Sequence, residues 1–219
     1  YLNILHAGWP GGLIVGGIMA GCFVGESAWI YGLRWEIPMA FFLVPTVWYG
    51  IIVTKEAFPV SEVKAAGIGF FQMIVEFAHP ILLVLLLLQA CVGYVELGTD
   101  SWITNITNNI LVGQGFMLFI YASSLMFILR FFAGPIVEKI NPLGLLCVSS
   151  VLATIGLFSI GYFAAPLVIW ISVTVYGIGK TFFWPTMLGV VGERFPRGGA
   201  MTMGAVGGAG ALAAGLLGG

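Results

Sequence analysis

Three polar side chains, Gln89, Glu96 and Asp100, interrupt the apolar stretch near residues 80–98 and its continuation. Their spacing of seven and four residues places them on one face of an α-helix. Inside hydrocarbon an ionisable side chain is costly unless it faces a cavity or a charged partner. We therefore expect Gln89 to offer hydrogen bonds to a polar solute, Glu96 to bind that solute or carry a proton, and Asp100 to lie in water at the outer interface.

A second polar face is predicted near residues 166–188, where Tyr176, Lys180 and Trp184 are spaced four residues apart. The aromatic rings offer flat surfaces and hydrogen bonds to a polar solute, and Lys180 supplies a cation that Glu96 can balance. Two other interpretations stay open from the residues alone. Glu96 and Lys180 can form a purely structural ion pair, and Trp184 can be a packing residue beside a helix kink.

Lys180 also belongs to the sequence GIGKT at 177–181, which matches the end of a phosphate-binding loop. Such a loop needs a glycine five residues before its second glycine, where this sequence has Thr174. It also follows a strand of a soluble α/β domain, whereas the residues on both sides here are apolar over about a membrane thickness. The sequence therefore favours a lysine buried in a membrane helix over a nucleotide ligand.

The composition excludes a soluble globule and several kinds of site. Hydrophobic residues make up 60% of the chain, charged residues 8%, and the mean hydropathy is +1.07. About a quarter of the residues of a soluble domain are charged. The net charge of −1 provides no basic face for nucleic acid, and neither the three cysteines nor the two distant histidines form a ligand pattern. We expect no metal, no cofactor, no nucleic acid partner and no enzyme activity.

Charged and turn residues divide the sequence into seven apolar segments, each near the length of about 20 residues that crosses a bilayer core. None of them alternates at period two, so helices are predicted and not the strands of a barrel. The predicted fold class is an all-α, polytopic bundle of membrane helices. The predicted spans, from first to seventh, are 4–25, 37–53, 80–98, 111–132, 143–163, 166–188 and 199–219.

Positive charges are concentrated in the connections that follow the even-numbered spans. They are Lys55, Lys64, Lys139, Arg194 and Arg197, with Arg130 at the edge of the connection that holds Lys139, whereas the opposite side carries only Arg34. By the positive-inside rule the even connections are cytoplasmic, and the first span starts in the cytoplasm. The longest connection, 54–79, is predicted to be either a polar linker followed by a short helix on the membrane surface or an ordinary loop.

The first and last spans are rich in glycine at four-residue spacing, including Gly8, Gly12 and Gly16 in one and Gly204 and Gly208 in the other. Small residues at this spacing let helix backbones approach closely, and similar helices recur in transporters built from repeats. We expect these glycines to be packing positions.

The connection after the fourth span contains Gly134-Pro-Ile-Val-Glu138-Lys139-Ile-Asn141-Pro142. It resembles the cytoplasmic glycine-acid-base signature between the second and third helices of each half in the major facilitator superfamily. Gly134, Glu138 and Lys139 stand at matching positions, while Glu replaces the commoner Asp, and Asn141-Pro142 replaces the Gly-Arg that often follows. The resemblance implies that Gly134, Glu138 and Lys139 take part in gating.

The resemblance also implies an arrangement for the whole chain. The seven spans correspond to helices five to eleven of the family, so the chain is expected to be a fragment that lacks helices one to four and twelve. Residues 1–53 would hold the last two helices of the N-terminal bundle, 54–79 the cytoplasmic linker, and 80–219 the C-terminal bundle of about five helices. Within the superfamily, the sequence GYVELGTDSWI resembles the fucose and hexose permease branch.

The function implied is secondary transport of a small polar solute, with sugars among the candidates, by proton symport and alternating access. The third and sixth spans would be helices seven and ten, which line the central cavity of the family. The substrate-binding residues would then be Gln89, Glu96, Tyr176, Lys180 and Trp184.

Glu96 would also couple transport to protons, and Glu193 and Arg194 would join Gly134, Glu138 and Lys139 in gating through a cytoplasmic charge network. The partners expected are the solute, protons, the lipid bilayer and the missing helices of the same protein, in a multi-pass protein of the plasma (inner) membrane. An uncoupled facilitator or exporter, and a non-transporting sensor on the same fold, remain alternatives.

Overall fold

The structure, a computed structural model, describes residues 1–26 and 28–218, and most of these residues are helical. A π-helical segment spans Tyr94–Gly98, and a 3₁₀ turn spans Glu76–Ala78. The helices are α1 (Leu2–His6), α2 (Gly8–Phe23), α3 (Glu36–Ala40), α4 (Leu43–Lys55), α5 (Glu62–Ala65), α6 (Phe70–Val75), α7 (Pro80–Gly93), α8 (Thr99–Ile110), α9 (Gly115–Arg130), α10 (Ala133–Tyr162), α11 (Pro166–Lys180), α12 (Phe183–Arg194) and α13 (Gly199–Leu217).

Six helical segments of the described chain are long and apolar enough to cross a membrane. A shorter apolar helix, Gly115–Arg130, lies where the fourth span was predicted. The predicted all-α fold with multiple membrane spans is therefore confirmed, and each predicted span overlaps one of these segments. The six are Leu2–Phe23, Glu36–Lys55, Pro80–Ile110, Ala133–Tyr162, Pro166–Arg194 and Gly199–Leu217. The cytoplasmic assignment of the connections and the division into two bundles stay predictions.

The third span is longer than the sequence analysis predicted. It does not end at residue 98 but continues through the π-helical segment and α8 to Ile110. The polar sequence of α8 resembles a connection, yet Ile103 and Thr107 on one of its faces are fully buried. At 1.5 Å per residue, Glu96 therefore lies about 20 Å from either end of the span, near its middle.

The start of the fifth span is set by a helix cap at Asn141. Asn141 has a positive φ of 54° and interrupts α10, and its side-chain oxygen accepts a hydrogen bond from the backbone N–H of Gly144 at 2.8 Å. Asn141 thus caps a new helix that has Pro142 at its first position, where the missing N–H costs nothing. The predicted start at 143 is confirmed to within a residue, and the glycine-acid-base segment forms a short helix of its own before the cap.

The sixth span is the centre of the bundle. In its most apolar window 56% of the residues are buried, against 28% or less in the other long spans. One core cluster joins its first half to the third, fourth and fifth spans, and a second cluster joins its second half to the third and seventh spans. Side chains on the sixth span are therefore held by neighbours on nearly every side.

Of the five glycines predicted to be packing positions, Gly16 is in contact with a neighbour, since a Cβ built on it would lie 3.5 Å from the ring of Phe42. A Cβ built on the other four would meet nothing within 4 Å: Gly8, Gly12, Gly204 and Gly208. In the first span Gly17 and Gly21 instead face Ile120 and Phe116 of the fourth span. The four-residue spacing of the contact glycines was predicted correctly, but the face of the helix was not. Glycines lie on several faces of this helix, and the rotation of the helix decides which face meets its neighbour.

The third and seventh spans are in close backbone contact at Gly93 and Gly210. A Cβ on Gly93 would overlap the carbonyl group of Gly210. We expect Gly93→Ala to separate these helices and lower the midpoint of thermal unfolding in detergent by several degrees. Gly208→Ala, exposed on α13, is the matched control and should leave the midpoint unchanged or raise it slightly, since alanine is the better helix former. Equal midpoints for both variants would contradict the contact.

Candidate functional site

Lys180 of the sixth span is buried and paired, but its partner is not the one predicted. Its ammonium group donates a hydrogen bond to the carboxylate of Asp100 and lies 5.0 Å from the centre of the Tyr176 ring. The hydroxyl of Tyr176 in turn donates to the backbone oxygen of Val95 at 2.7 Å. The expectations that Glu96 balances Lys180 and that Asp100 lies in water are wrong. The physical reason is the length of the third span, which brings Asp100 inside the bundle.

Glu96 pairs instead with Arg130, the last residue of the fourth span. The distance from Glu96 Oε1 to Arg130 Nη2 is 3.0 Å, and the two side chains are 2% and 1% exposed. From the sequence, Arg130 is expected at the edge of a cytoplasmic connection. Because the chain turns between Ile110 and Gly115, the two residues lie about equally far from the turn and therefore at the same depth. The length of the helical hairpin formed by the third and fourth spans is the feature from which this pair could have been predicted.

Arg130 is also held by two backbone carbonyl groups that lack helical donors. Its Nε donates to the oxygen of Thr181 at 3.0 Å, and its Nη1 donates to the oxygen of His6. Each of these carbonyl groups lies four residues before a proline, Pro185 and Pro10 respectively, which has no N–H to offer. Both spans break at this point, between α1 and α2 and between α11 and α12. One guanidinium group thus satisfies the orphaned carbonyls of two broken helices.

A cavity of about 190 Å³ lies beside the Glu96–Arg130 pair. Each proline follows a tryptophan, and both tryptophans face this cavity, so the two Trp-Pro sequences enclose it from two helices. Among the described residues, Glu96 Oε2 is buried without a hydrogen-bond partner. The lining residues are His6, Trp9, Glu96, Leu97, Arg130 and Trp184.

Gln89 is fully buried but lies outside this lining. A Cβ on Gly210 would come within 3.0 Å of Gln89 Nε2 and of the Trp184 ring, so both side chains pack where the seventh span lacks a side chain. Within the part of the chain that the structure describes, neither polar atom of the Gln89 amide has a partner. Of the five predicted binding residues, Glu96 and Trp184 line the cavity, while Gln89, Tyr176 and Lys180 are buried but do not line it.

Three of the five predicted gating residues line a second cavity of about 570 Å³. Gly134, Glu138 and Glu193 line it together with Arg130, which therefore borders both cavities. Lys139 and Arg194 are exposed, and none of the four charged gating residues forms an ion pair within residues 1–26 and 28–218. Their role in gating stays a prediction.

The two ion pairs bring two acidic and two basic side chains together between apolar helices. Buried ion pairs of this kind are costly to assemble, and ionisable groups at membrane depth mark solute and proton pathways. Among the described residues no group of three histidine, cysteine, aspartate or glutamate side chains could hold a metal ion. Comparison with family models, curated proteins and solved structures finds no match to this chain.

Proposed function

We propose that this chain is part of a secondary transporter of the major facilitator type, in which its spans correspond to helices five to eleven. The transporter moves a small polar solute together with protons by alternating access. The glycine-acid-base signature supports the family, and the six long apolar helices support a multi-pass membrane protein. The alternatives are an uncoupled facilitator or exporter and a non-transporting sensor on the same fold.

The observation that carries the proposal is the Glu96–Arg130 pair beside a cavity in mid-span. A pair that only stabilised the bundle would be better replaced by apolar side chains, because the loss of hydration offsets most of the attraction between buried charges. Here one oxygen of Glu96 is also left without a partner among the described residues. Such a site gains by receiving a proton or a polar solute.

The broken helices around the pair support movement as well. In secondary transporters, interrupted helices near the middle of the membrane form the binding site, and two groups of helices rock around it. The first and sixth spans are interrupted next to Arg130, whose guanidinium group connects both breaks to the fourth span. A change in the charge of Glu96 is thereby transmitted to three spans.

We expect Glu96→Gln to abolish accumulation of solute against its gradient while exchange of solute across the membrane continues. Glutamine keeps the size of the side chain and an acceptor for Arg130 but cannot release a proton at ordinary pH. The measurement is uptake of radiolabelled solutes by the intact protein in proteoliposomes, with and without an imposed proton gradient. The first panel contains glucose, fucose, pyruvate, lactate and glycerate.

Glu56→Gln is the matched control, since it removes an exposed carboxylate from the 54–79 connection and should transport like the unchanged protein. Accumulation that persists in Glu96→Gln would show that Glu96 does not carry the proton. If the unchanged protein accumulates none of the panel, the transport proposal itself fails.

A further inference from the structure

Charge balance at the site restricts the kind of solute that a proton can accompany. Glu96 and Asp100 supply two negative charges, and Arg130 and Lys180 supply two positive charges, each acid on its own base. When Glu96 takes up a proton, Arg130 becomes an uncompensated cation in apolar surroundings, which is a costly state. A neutral solute leaves that charge uncompensated. An anion compensates it.

Arg130 is held in place to receive an anion when Glu96 is neutral. Its Nε and Nη1 are bound to the carbonyl oxygens of Thr181 and His6, and only Nη2 points to the carboxylate of Glu96. Neither carbonyl group depends on the charge of Glu96. A guanidinium group fixed in this way presents its remaining N–H groups in the planar geometry that suits a carboxylate.

The cavity limits the size and shape of the anion. Its volume of about 190 Å³ is below the range of roughly 300–1,000 Å³ found for drug-sized ligands. At roughly 30 Å³ for the volume of one water, it accommodates a solute the size of a few waters, such as a carboxylate of about three or four carbon atoms. Trp9 and Trp184 supply apolar walls beside the charged end.

We propose that the cavity binds a small monocarboxylate together with one proton, the carboxylate replacing Glu96 on Arg130 while Glu96 holds the proton. The inference rests on the proposed transport for its biological role and names the substrate class of the same site. One proton and one carboxylate add no net charge, so the four-charge cluster stays neutral in both the occupied and the empty state.

Other titratable groups near the pair are already engaged or more distant. Asp100 is paired with Lys180, and His6 lines the cavity while its ring Nδ1 lies 2.8 Å from the oxygen of Leu2. The hydroxyl of Tyr176 donates to the backbone of the third span. Glu138 and Glu193 face Arg130 only across the second cavity. Glu96 is the carboxylate in direct contact with the guanidinium group.

The test is calorimetric binding of pyruvate, lactate and glycerate to the intact protein in lipid nanodiscs over a range of pH, with glycerol as the neutral probe. With one proton taken up per anion, the Kd should rise about tenfold per pH unit above the pH at which Glu96 titrates. In Glu96→Gln the binding should be tight and independent of pH, because the charge of Arg130 permanently lacks a negative partner. In Glu96→Gln/Arg130→Gln the binding should be lost.

The control Glu56→Gln should show the pH dependence of the unchanged protein. Absence of saturable binding of all three carboxylates, or a Glu96→Gln variant that keeps the pH dependence, would overturn the inference, and the second result does not require an Arg130 variant to fold. Accumulation of glucose or fucose without carboxylate binding would support the transport proposal but contradict the proposal that the solute is an anion. Carboxylate binding without accumulation of any solute would support the binding site but contradict the transport proposal.

Discussion

Arg130→Met is expected to lower the free energy of unfolding by about 3–5 kcal/mol, the range found when one partner of a buried ion pair is removed. The substitution leaves the carboxylate of Glu96 buried without a cation, and it leaves the carbonyl groups of His6 and Thr181 without a donor. The measurement is equilibrium unfolding of the intact protein in mixed micelles, followed by tryptophan fluorescence. Arg34→Met is the control and should change little, because that guanidinium group is 83% exposed.

The double variant Glu96→Gln/Arg130→Met separates the two causes. It removes the unpaired carboxylate but not the unsatisfied carbonyl groups, so it should recover part of the lost free energy and not all of it. Full recovery would mean that the two carbonyl contacts contribute nothing. No loss in Arg130→Met itself would contradict the burial of the guanidinium group.

Lys180→Met is expected to have the second largest effect, because it leaves Asp100, whose side chain is only 12% exposed, as an unpaired carboxylate between the third and sixth spans. The single variant should unfold at lower denaturant and fail in uptake. Asp100→Asn/Lys180→Met should recover both stability and uptake, since the pair lies at a helix contact and lines neither cavity beside Arg130. Uptake and unfolding are measured on the same preparations of the intact protein.

Lys64→Met, which removes an exposed lysine from the 54–79 connection, is the matched control for the loss of an ammonium group. If the double variant folds and still fails to take up solute, Lys180 acts on the solute directly, as the spacing of Tyr176, Lys180 and Trp184 predicts. If the single variant is as stable as the unchanged protein, the ion pair with Asp100 does not form.

The sequence by itself determined the class of protein and the position of most helices. Hydropathy and length are properties of a local window, so the spans could be predicted without knowing their neighbours. The cap at Asn141 and the break before Pro185 are equally local, since each depends on one side chain and on the carbonyl group or N–H within about four residues of it. The spacing of Glu96 and Lys180 likewise placed both inside the bundle.

Only the tertiary structure decided which charges pair. The sequence identifies the carbonyl groups of His6 and Thr181 as lacking donors, but the donor comes from Arg130, which lies far along the chain from both. Which residues meet depends on the depth and rotation of whole helices. The 12 residues of α8 lengthen the third span, so Glu96 and Asp100 lie deeper in the bundle than a span that ends at residue 98 would place them. The rotation of the first span also decided that Gly17, and not Gly16, faces the fourth span. Neighbouring residues on a helix point in different directions, so the sequence alone does not say which of them meets the partner helix.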